Sequence, residues 1–195
     1  MENGLSSRFA VKMSSKGEKK VRRDEKQYGK VSEHIGILPI VMVSPSDISM
    51  VSESGEERRR FVNAVLSQTD REYMSALQQY NRLLLQRNRM LKEPEPDRSL
   101  LEVIDMRMAA LAEPVYQARK RFVEELKPLV SEYYRAVSGG TEEIGIEYES
   151  DLDKASLDML LESSFEKDRI FRYTTVGVQR DDFIFTMNGH PIRRC

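Results

Sequence analysis

From Ser7 to Met13 the chain alternates. Phe9, Val11 and Met13 fall on one side and Arg8, Ala10 and Lys12 on the other, the two-residue period of a half-buried strand. A polar turn with Gly17 follows, and Lys20 to Arg23 is expected to form a second short strand. Residues 37–45, ILPIVMVSP, are instead an unbroken apolar run ending at Ser44-Pro45, which suits a strand buried on both faces. Beyond residue 46 the period lengthens. Ser54 and Glu57 have the spacing of a capping box, and Phe61, Val62, Val65 and Leu66 form the apolar stripe of a helix. Thr69 and Glu72 repeat that spacing and predict the start of a second helix. Tyr73, Leu77, Tyr80, Leu84 and Leu91 then share one helical face, until the prolines of KEPEPDRS interrupt it.

The next helix is the longest. Leu101, Ile104, Met108, Leu111, Val115, Ala118 and Phe122 alternate spacings of three and four, the heptad seam of a coiled coil. The spacing then slips to Leu126, Leu129 and Tyr133. An unbroken helix from Ser99 to Val137 would be about 58 Å long. Pro114 and Pro128 each remove a backbone hydrogen bond and are expected to bend or break it. The pattern predicts a long, bent helical hairpin, an arm, ending at SGG, residues 138–140. Alternation returns at Ile144, Ile146 and Tyr148. Asp151 is expected to cap a short helix reaching about Lys167, with Leu157, Leu160 and Leu161 turned inward. RYTTVG and DDFIFTMNGHPI predict closing strands, with Asn188-Gly189 as a hairpin turn. The fold class is therefore α+β, with a helical arm inserted between β-strand segments.

Composition adds limits. The chain is 39% apolar and 32% charged, with a formal net charge of −1, as expected of a soluble protein with a charged surface. It has no apolar run of about 18 residues that would span a membrane, and its first residues lack the apolar stretch of a signal peptide. Its single cysteine, Cys195, excludes an internal disulfide and fits a reducing cytoplasm. The near-neutral total hides segregation. Residues 1–30 carry nine Lys or Arg against four acids, residues 56–91 seven against four, and residues 141–163 one against eight. Such a chain can still present a basic face to a polyanion.

Candidate chemistry is sparse. The sequence contains no G-x-x-x-x-G-K-[ST], no G-x-G-x-x-G and no G-x-S-x-G. His34 and His190 stand apart from any metal-ligand pattern and read as surface or structural. Arg180-Asp181-Asp182 is a polar cluster at a strand entrance. It reads either as a carboxylate beside a metal or nucleotide or as an Arg–Asp pair tying down a loop. The second is favoured, because a carboxylate pair without a glycine-rich loop or a base cannot complete phosphoryl transfer. Arg58, Arg59 and Arg60 open the first helix, and Arg82, Arg87 and Arg89 lie on the second, with 82 and 89 on one face. Such rows either track phosphates or form a solvated face partly paired with Glu56, Glu57 or Asp70. Composition alone favours the solvated face.

Three motifs, in order, add a resemblance. Within residues 38–91, Tyr80-Asn81, Leu84 and Gln86-Arg87-Asn88 match a Y-N-x-x-L-x-Q-R-N pattern; SGGTEEIGIEYES occupies residues 138–150; and FEKDRIFRYTTVGVQRDDFIFTMNG, residues 165–189, is similar to T-T-x-G-P-H-R-D-D-L. Through these the chain resembles the RecF family of bacterial DNA replication and repair proteins, ABC-type ATPases related to Rad50 and SMC proteins. It departs from the family pattern at Val178-Gln179, in place of Pro-His, and at Ser46, in place of Glu. The resemblance implies the central region of such a protein: the end of a first ATPase lobe at 1–50, the helical arm at 51–172 with a short β segment at 142–150, and a return into a second lobe at 173–195. The Walker A loop would lie upstream, and the signature and Walker B motifs downstream. ATP and Mg²⁺ are then cofactors of the whole protein, none is expected for this chain, and the chain alone is expected to be inactive as an ATPase. The resemblance implies a Q-loop-like, nucleotide-proximal position for Asp47. It favours Arg58, Arg59, Arg60, Arg82, Arg87 and Arg89 as DNA contacts, or Arg58, Arg59 and Arg87 as fixings of the arm, and gives Arg180 and Asp182 a junction role. It implies duplex or gapped DNA, RecO, RecR and RecA as partners, a homodimer, and work in the SOS response. The alternative is a helical protein-interaction module without nucleic-acid affinity.

Overall fold

The structure is a computed structural model that describes residues 7–15, 19–37, 49–52 and 55–192. Asp47, Ser46, Ser54, Cys195 and all but Ile37 of the apolar run at 37–45 lie outside these residues. Strands β1 (Phe9–Met13), β2 (Lys19–Arg23) and β3 (Lys26–Gln27) form an antiparallel sheet in sequence order, with Val11 opposite Val21 and Lys12 opposite Lys20. A 3₁₀ turn at Val31–His34 brings His34 edge-on to Phe9, with ring centroids 5.1 Å apart, and beside Tyr28. The alternation is as the sequence predicts, but burial is partial. Val21 is enclosed, whereas Val11 and Met13 are 63% and 68% exposed.

Helices α1 (Ser49–Ser52), α2 (Gly55–Thr69) and α3 (Arg71–Met90) follow. The break between α2 and α3 is Asp70, whose extended backbone and side chain cap α3 by accepting from the Tyr73 N–H at 2.9 Å. Thr69, the expected cap, instead donates its hydroxyl back to the Leu66 carbonyl. The face that α3 buries holds Tyr73, Ala76, Tyr80, Leu83, Arg87 and Met90, with Leu77 and Leu84 at its margin.

Helix α4 (Arg98–Ser138) is a single element of 41 residues, about 60 Å long. Pro114 and Pro128 sit inside it without ending it, contrary to expectation. The carbonyls four residues back, at Ala110 and Glu124, belong to exposed residues, where a lost intrahelical bond leaves an acceptor open to solvent rather than buried. Packing of α4 against α3, α5 and the second sheet supplies the stability that propensity lacks. Its buried row is Leu101, Ile104, Met108, Ala112, Val115, Arg119 and Val123, with spacings of three, four, four. That is an eleven-residue repeat, near the period of a straight helix, and not the left-handed heptad seam expected. Leu111 and Phe122 lie at its edge.

Strands β4 (Ile144–Glu149), β5 (Asp182–Met187) and β6 (His190–Pro191) form the second antiparallel sheet, with Ile146 opposite Phe185 and Tyr148 opposite Phe183. Asn188 and Gly189, at φ 50° and 76°, make the predicted hairpin turn. Ser150 caps a 3₁₀ turn at Asp151–Asp153, and α5 (Leu157–Phe171) begins after Ser156 rather than at Asp151. RYTTVG is irregular, not a strand. Side chains take its backbone N–H groups: Asn88 accepts from Thr174 N at 2.8 Å, Asp168 from Thr175 N at 2.9 Å and Asp151 from Gly177 N at 3.3 Å. Ile146, Leu157, Leu161, Val178 and Phe183 join the apolar faces of α2, α3 and α4 in one core.

Candidate functional site

The cluster Arg180-Asp181-Asp182 closes a turn that starts at Gly177, where the Arg180 N–H donates to the Gly177 carbonyl at 2.7 Å. Gly177 has φ 111°, and a Cβ there would lie 2.7 Å from the Tyr80 hydroxyl, so a side chain is excluded twice over. That hydroxyl donates to Gln179 Oε1.

Asp181 is buried beneath this turn, and Arg119 reaches it from α4. Arg119 donates to Asp181 Oδ2 at 2.5 Å, to the Val178 carbonyl at 2.6 Å, to Asn63 Oδ1 at 3.0 Å and to the Tyr73 hydroxyl at 3.2 Å. The Tyr148 hydroxyl donates to the same Asp181 oxygen at 2.5 Å. Burial pushes Asp181 above the usual carboxylate pKa, against the pull of Arg119. Burial also works to lower Arg119, yet Tyr73 and Asp181 hold it above its ordinary value. With two donors aimed at one oxygen, the geometry serves the charged pair.

Asp182 faces the other way, toward α2. Arg58 grips it in a fork, Nε to Oδ1 at 2.8 Å and a terminal nitrogen to Oδ2 at 2.9 Å, and donates to the Met50 carbonyl at 2.9 Å. Such bidentate, charge-assisted contacts are the strong kind. Burial works to raise the Asp182 pKa, but Arg58 and the Phe183 N–H hold it below the usual carboxylate value. Arg59 donates to the Asp181 carbonyl at 2.7 Å, and burial pushes its pKa down. Asp182 thus ties the β5 entrance to α2 through Arg58. Arg180 is exposed and has no ion pair among the described residues.

Arg87 makes a second centre, fully enclosed. It donates to Asp105 of α4 at 2.7 Å, and to Asp168 of α5 and the Thr174 hydroxyl at 2.6 Å and 3.0 Å. Asp168 also accepts from the Thr175 hydroxyl at 2.6 Å, and Asn88 from the Thr174 hydroxyl at 2.7 Å. Arg87-Asn88 and Thr174-Thr175, which belong to two of the motifs in the sequence, therefore interlock.

This corrects the DNA-contact reading of Arg87, because a guanidinium without exposed surface cannot meet a phosphate; it joins α3 to α4, α5 and the segment at Thr174. Arg58 and Arg59 are likewise engaged at the β5 entrance. Arg60, Arg82 and Arg89 remain on the surface, Arg60 with an exposed ion pair to Glu57 at 2.6 Å. Sequence reasoning missed Arg119, Asp105, Asp168 and Tyr148 as parts of these centres. The available signal was phase: Arg87 and Arg119 occupy positions on the apolar stripes of α3 and α4, where an unpaired charge is not tolerated. Both centres join elements that are distant in sequence.

No protein-family model matches the chain. It is 43% identical over 191 residues to the DNA replication and repair protein RecF of Parabacteroides distasonis, covering 98% of this chain and 52% of that protein. It is 38% identical over 193 residues to RecF of Bacteroides fragilis and 36% identical over 184 residues to RecF of Flavobacterium johnsoniae, covering 98% and 92% of this chain and 52% and 51% of those proteins. The chain spans about half the length of the curated relatives it matches. Two solved structures of the recombination mediator protein RecF in the RecFOR pathway, RecF-ATPrS and RecF-ATP, superpose with a TM-score of 0.87 at 26% and 27% identity. Each comparison covers 95% of this chain, and 53% or 52% of the other. The chain therefore carries the sequence and the fold of about half of a RecF-family protein.

Proposed function

We propose that this chain is the arm-bearing part of a cytoplasmic RecF-type protein that binds duplex or gapped DNA in an ATP-dependent manner and assists RecA loading together with RecO and RecR. The observation that carries this reading is the match in fold to RecF over 95% of the chain, supported by the interlock of Arg87-Asn88 with Thr174-Thr175. Both arginine centres tie α2, α3, α4, α5 and the second sheet together through their side chains. ATP with Mg²⁺, dimerisation and a place in the SOS response belong to the whole protein in this reading. Among the described residues no group of three or more His, Cys, Asp or Glu could hold a metal ion, and Asp47, the nucleotide-proximal position in this reading, lies outside them. No described helix is long and apolar enough to cross a membrane.

Fluorescence anisotropy on a gapped duplex, titrated with salt, tests the reading. The chain is expected to bind at low salt. Replacing Arg60, Arg82 and Arg89 by Ala is expected to flatten the log–log salt slope by up to about 2.7, at about 0.9 per neutralised phosphate. Absence of binding at low salt would overturn the proposal for this chain.

A second reading rests on the far end of α4. Leu129, Tyr133 and Val137 are 48%, 71% and 88% exposed there, the surface expected of a protein-interaction module. It predicts no anisotropy change with any duplex.

A further inference from the structure

The first sheet carries an arrangement that the helical arginines do not explain. Lys12 and Lys20 stand directly opposite each other on β1 and β2, with Cβ atoms about 5 Å apart. Arg22 shares their face two residues along β2, about 6.8 Å from Lys20. Opposite Arg22 is Ala10, whose small side chain leaves the fourth corner open. All four are exposed. Among the described residues no acid forms an ion pair with Lys12, Lys20 or Arg22. The reverse face is covered only at one end, by the buried Val21 and by Phe9 against His34, with Val11 and Met13 exposed.

Like charges directly opposite in an antiparallel pair destabilise it. An acid at Ala10 would relieve the repulsion. Three cations held a few ångströms apart on a hydrogen-bonded ribbon are set for a ligand whose negative charges recur at similar intervals. A duplex, with one charge per about 1.7 Å of axis, is dense enough in phosphates to meet each of the three cations.

We propose that the β1–β2 ribbon is a phosphate-backbone contact for duplex DNA, made by Lys12, Lys20 and Arg22. It rests on the reading that this chain binds DNA, and adds to it a site separate from the helical arginines. The ribbon positions the duplex and reads no sequence, since phosphate contacts carry no base information.

The test compares the wild-type chain, Lys12→Gln/Lys20→Gln/Arg22→Gln, and the charge-retaining Lys12→Arg/Lys20→Arg in the same salt-titrated anisotropy, with a melting curve for each. The triple variant is expected to flatten the salt slope by about 2.7 with an unchanged or higher melting temperature, and the double Arg variant to keep the wild-type slope. If the wild type binds and the triple variant keeps its slope, the ribbon proposal is overturned and the DNA-binding reading stands. If the wild type does not bind gapped duplex at low salt, both fall. Loss of retention on phosphatidylserine vesicles with an unaltered duplex slope would make the ribbon a membrane contact and overturn the proposal.

Discussion

Arg119 gathers acceptors from α2, α3, the turn at 178–181 and Asp181 itself, so its loss strands a buried carboxylate. Arg119→Met is expected to cost about 3–5 kcal/mol in denaturant unfolding, whereas Arg119→Met combined with Asp181→Leu should cost less, because breaking a buried pair is worse than replacing it. A double variant as damaged as the single would show that the pair itself contributes little. Asp182 gives a pH signature. Its folded pKa is depressed, so its stabilisation is present above the unfolded value near 4 and is lost as pH falls through the folded value. Thermal melts from pH 6 down to pH 2 are expected to show an acid limb that Asp182→Asn flattens; an unchanged limb would exclude Asp182 as its source. At Gly177, Ala is expected to lower the melting temperature, since its Cβ would meet the Tyr80 hydroxyl at 2.7 Å at a positive φ. Little of this was legible beforehand. Asp181 and Asp182 stood out as a cluster, but patterning counts arginine as a surface residue and offers no partner for it across 62 or 124 positions.

Element boundaries were clearer than element interiors. The strands at 9–13 and 144–149, the breaks near 70 and 94 and the Asn188-Gly189 turn all follow from local chemistry that acts within a few residues. The repeat of α4 was misread because Leu111 and Phe122 fit a heptad as well as Ala112 and Val123 fit an eleven-residue repeat; what α4 packs against decides between them. RYTTVG was misread because Asn88, Asp168 and Asp151, distant in sequence, satisfy its backbone. The prolines offer a test of what keeps α4 continuous. If packing overrides propensity, Pro114→Ala should stabilise the chain by about 2 kcal/mol in thermal melts, the interior-proline penalty less the entropy an alanine restores to the unfolded state. A fall in stability would mean that the helix depends on its proline.

At the scale of the whole molecule, charge is segregated by element: a basic ribbon at one end of the sequence, arginines along α3, and an acidic stretch around β4 and the start of α5. In the proposed reading, such separation would orient a polyanion before contact and make its association sensitive to ionic strength. Gly36 lies against the Gln68 backbone, which brings the segment following the first sheet to the end of α2. The enclosed guanidinium of Arg87 has a further consequence, for the way the molecule opens. It is shared among α3, α4, α5 and the segment at Thr174, so detaching any one of these takes a partner from an ion held away from water. Partial opening is therefore suppressed in favour of one concerted event. Amide hydrogen exchange should place the slow protons of α3, of α4 between Leu101 and Val123, and of α5 on a common free energy, with β1 to β3 exchanging earlier. In Arg87→Leu that single class should split, α5 becoming the first helix to exchange.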